Sequence, residues 1–453
     1  MKLAERTDTL TAPRIARSAR DRYGTQLPTG DVMDWLAERR AAHRFRVDRI
    51  PFDELRGWSF SPDTGNLGHA SGRFFSVEGL HVSCEDGPVE EWHQPIIRQP
   101  EVGILGILVK EFDGVPHLLM QAKMEPGNPN LLQLSPTVQA TRSNYTGAHR
   151  GAGVTYIEYF TRPERGTVLA DVIQSEHGSW FLHKGNRNMI VEARGNVPPD
   201  DDFRWLTLGQ IGELMRRDNL VNMDSRTVLS CAPFGGDEPR ALHSDAEVLS
   251  WLTAQRATRQ IRANRVPLKE LPGWTRGATS IDHDGGRYFS VMAVSVRADS
   301  REVASWTQPL FEPVGLGITA FLTRRIGGVP HLLAHAKAEG GILQSVELGP
   351  TVQCVPGNYA HLPRERQPRF LDLVRHADPA RIRYEAIHSE EGGRFLNAES
   401  RYLIVEASEE EVPLDPPPDY HWLTPGQLTA LTQYGNYVNV QARTLLACQR
   451  FAL

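Results

Sequence analysis

The feature that most constrains the fold is a segment that occurs twice. Residues 123–145 read KMEPGNPNLLQLSPTVQATRSNY, and residues 337–359 read KAEGGILQSVELGPTVQCVPGNY. The lysine, the Pro-Thr-Val-Gln run and the Asn-Tyr pair recur at one ungapped offset of 214 residues, for example from 123 to 337. This offset is far longer than a solenoid period and marks two copies of a whole domain. A function that both copies inherited should therefore use residues that recur.

Length and charge narrow the classes of protein that fit this pattern. A chain of 453 residues accommodates two domains of ordinary size. Its formal net charge of −5 lacks the basic surplus that nucleic-acid-binding proteins usually carry. No apolar run approaches the ~20 residues that cross a bilayer, and the N-terminus lacks the apolar core of a secretory signal. We therefore expect no nucleic-acid or membrane partner and a cytoplasmic location.

Each copy has helical patterns at its two ends. The segment DVMDWLAERRAAHR places Val32, Trp35 and Leu36 at helical spacing, and AEVLSWLTAQRATR repeats the pattern in the second copy. Near the end of each copy, Thr207 or Thr424 stands three residues before a glutamine, which indicates a helix N-terminus with a capping box. The sequence therefore predicts that each repeat begins and closes on a helix.

Between these helices the composition is that of strands. GRFFSV with GRYFSV, VPHLL in both copies, and NRNMIVEA with SRYLIVEA combine aromatic and β-branched residues. In the first copy YIEYF (Tyr156–Phe160) is also strand-like. We predict an α+β fold of two tandem repeats, each a mixed β-sheet flanked by helices. The predicted segments are a loosely ordered tail (1–30), a first repeat (31–234), a linker (235–243) and a second repeat (244–453).

Several common catalytic and metal-binding signatures are absent from the sequence. It contains no P-loop, no G-x-G-x-x-G pattern after a strand, no H-E-x-x-H and no G-x-S-x-G. The four cysteines are scattered without a C-x-x-C pair, so neither a zinc site nor a disulfide framework is predicted. The remaining candidates are polar residues that recur at matching points of the two copies.

The first candidates lie in the duplicated segment itself. Lys123 and Lys337 could polarise a carbonyl group or bind phosphate, although a surface lysine fits the same pattern. The run TRSNY combines an arginine suited to a diphosphate with a tyrosine that could stack or transfer a proton, and a hydrogen-bonded turn is the alternative. The candidate substrate-binding residues here are Thr141, Arg142, Ser143, Asn144 and Tyr145, with Asn358 and Tyr359 in the second copy.

A second group of candidates contains glutamate and histidine. Glu176 and Glu390, in SEHG and SEEG, could act as a general base, with His177 or His388 nearby in sequence. A carboxylate next to glycine is also common in solvated loops. Both interpretations stay open at this point.

Two tryptophans and two arginines complete the set. Trp58 and Trp274 each follow a glycine and could pack on a nucleobase or in the core. Arg187 and Arg401 stand near the start of matching strands and could contact phosphate or form surface ion pairs.

The two copies differ at polar positions where chemistry could have been kept or lost. Gln133, Gln174 and Arg142 of the first copy become Glu347, His388 and Pro356 of the second. The richer donor set around Arg142 favours the first copy as the working one. Glu347 and His388 leave the second copy as an alternative location of the active site.

Taken together, the duplicated segment and the strings QSEHGSWFLHKGNRNMIVEA and HSEEGGRFLNAESRYLIVEA resemble the NDP-hexose 2,3-dehydratases of deoxysugar pathways that feed antibiotic glycosylation. The resemblance runs from about residue 31 to the C-terminus. It implies two Nudix-like repeats, action on dTDP-4-keto-6-deoxy-glucose and a homodimer. Neither copy contains the Nudix box G-x5-E-x7-R-E-x2-E-E-x-G, which argues against metal-dependent diphosphate hydrolysis.

The implied reaction is an elimination without net redox, so no cofactor or metal is expected. A ketone at C4 acidifies the proton at C3, and the enolate expels the C2 hydroxyl. We hypothesise that Lys123 polarises the C4 oxygen and that Tyr145 or Glu176 takes the C3 proton. Arg142 and Arg187 would bind the diphosphate, and Trp58 would contact the sugar or thymine.

The diketone product should be labile, which suggests an NADPH-dependent 3-ketoreductase as functional partner. Two other functions remain as alternatives. One is a metal-dependent nucleotide-sugar hydrolase, and the other is a non-catalytic scaffold that binds nucleotide sugars.

Overall fold

The structure is a computed structural model that describes residues 10–85, 89–142, 153–233, 239–301 and 303–449. No helix in these ranges is long and apolar enough to cross a membrane. The helices are α1 (Thr11–Arg20), α2 (Val32–Ala42), α3 (Glu158–Thr161), α4 (Leu208–Leu214), α5 (Met223–Ser230), α6 (Asp245–Thr258), α7 (Leu371–Arg375), α8 (Pro425–Leu431) and α9 (Val440–Gln449).

The strands fall into two sets that repeat along the chain. The first repeat contains β1 (Phe45–Ile50), β2 (Trp58–Phe60), β3 (Leu67–His69), β4 (Ser76–Cys84), β5 (Glu91–Arg98), β6 (Ile104–Phe112), β7 (Val115–Met124), β8 (Leu132–Ser135), β9 (Val138–Ala140), β10 (Gly166–Ser175), β11 (Gly185–Ala193) and β12 (Phe203–Thr207). The second contains β13 (Ile261–Val266), β14 (Trp274–Arg276), β15 (Ser280–His283), β16 (Phe289–Ala298), β17 (Ser305–Pro313), β18 (Gly317–Ile326), β19 (Val329–Lys337), β20 (Glu347–Gly349), β21 (Val352–Cys354), β22 (Ile382–Ser389), β23 (Glu399–Glu406) and β24 (Tyr420–Leu423).

A seven-stranded mixed sheet forms the body of each repeat. The order in the first is β10-β11-β6-β7-β12, with β8 beside β7 and β9 beside β6. Strand β11 runs parallel to β6, and the neighbouring pairs are antiparallel. The second repeat has the same arrangement, β22-β23-β18-β19-β24 with β20 and β21, and β23 runs parallel to β18. The predicted α+β fold, with two repeats that each hold a mixed β-sheet flanked by helices, is confirmed.

Two smaller sheets join the repeats by exchanging one strand each. Strand β1 of the first repeat pairs antiparallel with β16 of the second. Strand β13 of the second repeat pairs antiparallel with β4 of the first. Each five-stranded sheet therefore contains strands from both copies. The sequence predicts two successive repeats but not this exchange.

The helices that close the two repeats meet at their junction. Helix α5 packs against α9, and each carries a buried arginine that reaches into the other repeat. Arg226 donates to the carbonyl oxygen of Ser389 at 2.7 Å, and Arg443 donates to that of Ser175 at 2.6 Å. Both predicted capping boxes, at Thr207 and at the matching Thr424, are present. One hydrophobic core runs through both repeats.

The prediction of a loosely ordered tail over residues 1–30 is wrong for residues 11–20, which form α1. Its buried Ser18 donates to the carbonyl oxygen of Pro116 at 2.5 Å and accepts from the amide of Leu208 at 2.9 Å. Helix α1 is thus fixed to β7 and to the start of α4. Tertiary hydrogen bonds rather than a long apolar stripe hold this helix, and sequence periodicity does not detect them.

The strand-like segment YIEYF is also corrected, because it enters helix α3. Tyr156 has a left-handed φ of 61°, which ends any extended run. Phe160 packs over Gly106 of β6, where an added Cβ would lie 2.4 Å from the ring. The aromatic residues that suggested a strand therefore cover the face of the sheet instead of joining its edge.

Candidate active site

A cavity of about 750 Å³ lies where the strand exchange brings both repeats together. Its wall contains residues of β2, β3, β7, β9, β11 and α5 from the first repeat. The second repeat contributes residues of β16, β17 and the segment 391–394. One chain thus builds this cavity from both of its copies.

Lys123, near the end of β7, lies in the inner wall with a side chain that is 11% exposed. Its Nζ donates to the carbonyl oxygen of Gln139 on β9 at 3.4 Å and lies 4.0 Å from Glu125 Oε1. The same carboxylate oxygen accepts from Gln139 Nε2 at 2.8 Å. The ammonium group is therefore fixed beside a carboxylate, where it can donate to an oxygen of a bound molecule.

Glu176 directly follows β10 and is 4% exposed. Its Oε1 accepts from Asn186 Nδ2 at 2.8 Å, and Asn186 Oδ1 accepts from Lys184 Nζ at 2.9 Å. Within the described part of the chain, Glu176 Oε2 is buried without a hydrogen-bond partner. A carboxylate held by one oxygen, with the other unengaged in a cavity wall, is placed to accept a proton from a ligand.

Asp224 projects into the same cavity from the first turn of α5 and is 2% exposed. Its Oδ1 is buried and lacks a hydrogen-bond partner among the described atoms. Burial raises the pKa of Asp224 well above its ordinary value, and the negative charges of Glu391 and of two other glutamates raise it further against the opposing charge of Lys123. Asp224 therefore keeps a proton at a pH where an ordinary aspartate has lost it.

Glu391 reaches the cavity from the second repeat. Its Oε1 accepts from the amide of Gly393 at 3.0 Å. Burial raises the pKa of Glu391 to about 7, and the nearby Glu125 adds to this while Arg394 opposes it. Asp224 and Glu391 therefore both hold a proton to a higher pH than an ordinary carboxyl group does.

Basic and aromatic side chains occupy the more exposed part of the wall. Arg301 lies over the ring of Trp306 at 6.0 Å from its centroid, and Phe74 stands 6.4 Å from the ring of Trp58. Arginine binds phosphate oxygens through a fork of donors, and aromatic rings stack on nucleobases. This wall suits a nucleoside diphosphate, and its arginines are Arg56, Arg73, Arg297 and Arg301.

The positions that match this cavity by the duplication, around Lys337, lack much of this chemistry. Both oxygens of Glu390 are engaged, by His177 Nε2 at 2.8 Å and by the Tyr402 hydroxyl at 2.9 Å. His177 and Trp180 occupy the sequence positions that match Glu391 and Arg394. Four further polar residues of the cavity, Thr141, Lys184, Asn186 and Asp224, correspond to Val355, Ala398, Ser400 and Gln441. These differences favour the cavity beside Lys123 as the working one.

Glu347 and His388, the two residues that left the second copy as an alternative active site, are fully buried. Glu347 Oε2 accepts from the hydroxyl of Ser175 at 2.6 Å. His388 Nε2 lies 2.7 Å from the Tyr384 hydroxyl, and burial holds the pKa of His388 well below its ordinary value. Both side chains lie in the packed region between the repeats, and neither is part of the cavity wall.

Four of the predicted site residues come together in the cavity. Lys123, Glu176, Trp58 and Thr141 all line it, although 118 residues separate Trp58 from Glu176 in sequence. Trp58 donates from Nε1 to the carbonyl oxygen of Thr307 on β17 at 2.9 Å. The tryptophan is thus fixed by a strand of the other repeat.

Other predicted residues lie elsewhere. Arg187 does not line the cavity, and its Nε donates to Asp171 at 2.7 Å. Arg401 makes the matching contact with Glu385 at 2.6 Å. Arg142 is exposed and is not part of the wall. The described cavity wall therefore gives no support to the diphosphate role predicted for Arg142 and Arg187, and Ser143, Asn144 and Tyr145 lie outside the described residues.

The candidate residues of the second copy make contacts that parallel those of the first copy only in part. Lys337 Nζ donates to the carbonyl oxygen of Gln353 at 3.3 Å, as Lys123 does to that of Gln139. Trp274 donates from Nε1 to a backbone oxygen of β5. The two remaining candidates are Asn358, whose Oδ1 accepts from the amide of Tyr288 at 3.0 Å, and Tyr359, whose pKa is raised by burial.

Sequence reasoning missed several residues of the cavity. Asp224 and Glu391 escaped it because neither recurs in both copies. Glu125 does recur, as Glu339, two residues after each duplicated lysine, so a signal for it was present. Arg73 also recurs, as Arg287, so recurrence could have revealed it. The others do not recur, and they are Lys184, Arg394 and the rim arginines Arg56, Arg297 and Arg301.

Comparison with known proteins identifies the family of this chain. A model of the NDP-hexose 2,3-dehydratase family matches residues 29–232 and again residues 245–449. A protein of Amycolatopsis orientalis named dTDP-4-dehydro-6-deoxy-alpha-D-glucopyranose 2,3-dehydratase is 61% identical over 442 residues, which cover 96% of this chain and 93% of that protein. Proteins of the same name from Saccharopolyspora spinosa and Streptomyces violaceoruber are 52% and 51% identical, over 96% and 92% of this chain and 94% and 96% of theirs. The chain therefore belongs to the NDP-hexose 2,3-dehydratase family.

Proposed function

We propose that this protein is a dTDP-4-keto-6-deoxy-D-glucose 2,3-dehydratase. The product would be a dTDP-3,4-diketo-2,6-dideoxy-hexose. Family membership and the names of the relatives support this reaction. The observation that carries it is a cavity in which Lys123 lies among carboxyl groups, two of which have raised pKa values, next to a wall of arginines and aromatic rings.

The reaction is a β-elimination that balances without an external oxidant. A base removes the C3 proton, which the C4 ketone acidifies, and the electrons pass into an enolate. The C2–O bond then breaks, and the hydroxyl leaves as water after it receives a proton. The resulting enol becomes a ketone at C3. The enzyme must therefore supply a base, a donor to the C4 oxygen and an acid.

Glu176 and Lys123 fit the first two roles. Glu176 is held by Asn186 through one oxygen, and its other oxygen is unengaged within the described structure. Lys123 can donate to the C4 oxygen as negative charge develops there, an interaction that typically contributes a few kcal/mol to lowering the barrier. Tyr145 remains an alternative base, since it belongs to residues 143–152, outside the described ranges.

The acid would come from the pair Asp224 and Glu391. Asp224 is buried and Glu391 is partly buried in the cavity wall, and both have raised pKa values, so a proton is retained near neutral pH. Environments that separate the pKa values of neighbouring carboxyl groups are how one site holds both an acid and a base. We assign the proton that the C2 hydroxyl receives to this pair, in which the charge of Glu391 helps to raise the pKa of Asp224.

The nucleotide part of the substrate would lie along the exposed wall. Arg297 and Arg301, from the second repeat, stand with Arg56 and Arg73 where they can bind the diphosphate. Phe74 and Trp306 offer faces on which thymine could stack. These residues replace Arg142 and Arg187 in the proposal, while Trp58 keeps its proposed contact with the sugar or thymine.

The alternative functions have weaker support. A metal-dependent hydrolase needs several ligands that converge on an ion, but the cavity carboxylates of the described chain do not place three ligand atoms within 4.8 Å of one another. A scaffold would not require buried carboxyl groups of shifted pKa, which cost folding free energy. Elimination gives each of these groups a task.

The wider setting also belongs to the proposal. We infer from the family resemblance a cytoplasmic homodimer of Nudix-like repeats that acts in deoxysugar biosynthesis for antibiotics. The labile 3,4-diketone calls for a reductase that captures it, and an NADPH-dependent 3-ketoreductase fits this chemistry.

The test is mass spectrometry of dTDP-4-keto-6-deoxy-glucose incubated with the protein in EDTA and without nicotinamide. A second sample contains a 3-ketoreductase with NADPH to trap the product. We expect loss of one water, and a reduced 2,6-dideoxy sugar in the trapped sample. Unchanged substrate that is cleaved to dTMP only after metal is restored would establish the hydrolase instead. Tight binding without any conversion would establish the scaffold.

A further inference from the structure

Three side chains suited to binding a metal ion lie together on the sheet that contains β4 and β5. They are His81 on β4 and Glu91 and His93 on β5, and their ligand atoms all lie within 4.8 Å of one another. His81 stands directly opposite His93 in the antiparallel pair, and Glu91 is two residues before His93. Residues directly opposite, and residues two apart on a strand, share one face of a sheet. The three side chains therefore project in the same direction.

The geometry is close to that of a metal site. His81 Nε2 lies 2.7 Å from Glu91 Oε1, and the two imidazole rings are stacked with centroids 4.5 Å apart. Around a tetrahedral ion with bonds of about 2.0–2.1 Å, neighbouring ligand atoms lie roughly 3.4 Å apart. A modest tilt of the rings would bring their nitrogens to that spacing.

The surroundings of the group also suit a metal. The His81 and Glu91 side chains are 30% and 63% exposed, which leaves the group open to solvent. A fourth coordination position can therefore be filled by water.

The duplication shows that this face corresponds to part of the catalytic wall. Trp58 Nε1 donates to the carbonyl oxygen of Thr307, and Trp274 Nε1 donates to that of His93. His93 thus takes the place of Thr307, a residue of the cavity wall. By the same offset of 214 residues, His81 and Glu91 correspond to Ser295 and Ser305, which also line that wall. The first repeat carries imidazole and carboxylate groups where the second carries hydroxyl groups.

We propose that His81, Glu91 and His93 bind one divalent transition-metal ion, of the zinc, nickel or copper class, on the face that corresponds to the catalytic wall. Two imidazole nitrogens and a carboxylate oxygen form a donor set that binds such ions in preference to calcium or magnesium. None of the three residues belongs to the catalytic cavity. The site is therefore independent of the dehydration.

The test is titration of untagged, EDTA-washed protein with Zn²⁺ by calorimetry and with Co²⁺ by visible absorption. We expect one equivalent of Zn²⁺ at micromolar Kd and Co²⁺ bands typical of a mixed nitrogen and oxygen site. The double variant His81→Ser/His93→Thr carries the residues of the matching strands, so it should fold, and it should bind at least tenfold more weakly. His376→Asn, which removes an exposed histidine elsewhere, should leave binding unchanged.

Equal affinity of the wild-type protein and the double variant would overturn the proposal. So would the absence of any saturable binding to the wild-type protein. Dehydratase turnover is measured on the same samples and should be equal with and without bound metal. A protein that dehydrates but binds no metal refutes this site alone, and one that binds metal but does not dehydrate refutes the proposed function alone.

Discussion

The neighbours of each carboxyl group in the cavity determine its protonation and its hydrogen bonding. Asp224 is buried and Glu391 is partly buried beside other carboxyl groups, and these surroundings raise the pKa values of both. Glu176 is also buried, but a hydrogen bond from Asn186 orients it. The same type of side chain can therefore serve as acid and as base within one cavity.

The acid role of Asp224 predicts the effect of removing its proton. In Asp224→Asn the side chain keeps its size but cannot protonate the leaving hydroxyl, so kcat should fall by about 10²–10⁴ while KM changes little. Steady-state kinetics on folded protein measures this. Gln441→Asn, at the matching position of the second repeat, is the control and should retain turnover. An Asp224→Asn enzyme with kcat within twofold of the wild type would remove Asp224 from the mechanism.

The raised pKa of Glu391 predicts how stability depends on pH. Its pKa moves from an ordinary 4.5 to about 7 in the folded protein, so between these values the folded state binds more protons than the unfolded state. Its contribution to the free energy of unfolding is full below about pH 4.5 and is lost as pH rises toward 7. Glu391→Gln cannot titrate, so its Tm should fall less over this interval than that of the wild type.

Thermal unfolding at several pH values on either side of this window provides the measurement. At mildly alkaline pH the Glu391→Gln variant should be the more stable of the two, since the wild type then carries a buried charge. Glu409→Gln removes a glutamate whose side chain is 74% exposed and should follow the wild-type profile. Parallel profiles for wild type and Glu391→Gln would contradict the shifted pKa.

Among the secondary-structure elements, β16 and β17 give the clearest link between fold and function. Strand β16 belongs to the second repeat, pairs with β1 of the first and lines the cavity beside Lys123. The strand exchange is what places it there. A substrate-binding residue on β16 of the second repeat should therefore affect a reaction whose proposed base and oxyanion donor belong to the first repeat.

Arg297 on β16 provides this test. Arg297→Ser, which installs the residue found at the matching position Ser83, removes a donor to the diphosphate and should raise KM about tenfold or more with kcat little changed. Arg262→Ser on β13 lies in the other five-stranded sheet and should leave KM unchanged. The readout is initial rate against substrate concentration. An unchanged KM for Arg297→Ser would show that β16 does not hold the nucleotide.

The elements show what the sequence can and cannot predict. Capping residues and apolar spacing are local signals, so α2, α4 and α8 and the central strands could be predicted. Helix α1 could not, because its contacts come from residues such as Pro116 and Leu208 that are distant in sequence. Helix α3 was not predicted, because aromatic residues are common both in strands and in helices that pack on the face of a sheet.

On the scale of the whole molecule, recurrence found only the half of the site that both copies kept. Lys123 and Glu176 recur in both copies and were predicted. Asp224 and Glu391 correspond to Gln441 and His177 in the other copy, so they do not recur and were not predicted. The two missed residues come together with Lys123 only through tertiary structure. In this chain the two copies therefore differ at the proposed acid and agree at the proposed base and oxyanion donor.

The exchange of β1 and β13 predicts that the repeats fold together. Cutting the chain between residues 238 and 239 removes from each fragment a strand that completes its sheet, and it divides the shared core. Each fragment alone should lack a cooperative unfolding transition and dehydratase activity, and mixing should restore both. Calorimetry and the mass-spectrometric assay measure this. Cooperative unfolding of either monomeric fragment alone would contradict the interdependence.

The central claim is that dehydration takes place in the cavity beside Lys123 and not in the matching region beside Lys337. The most direct test compares the turnover of Lys123→Gln with that of Lys337→Gln, two substitutions at duplicated positions with the same local contact. Lys123→Gln should lose about 10²–10³-fold in kcat, the usual effect of removing one donor to a developing oxyanion, while Lys337→Gln should stay within about threefold of the wild type. The reverse order, or equal losses in the two variants, would contradict the account.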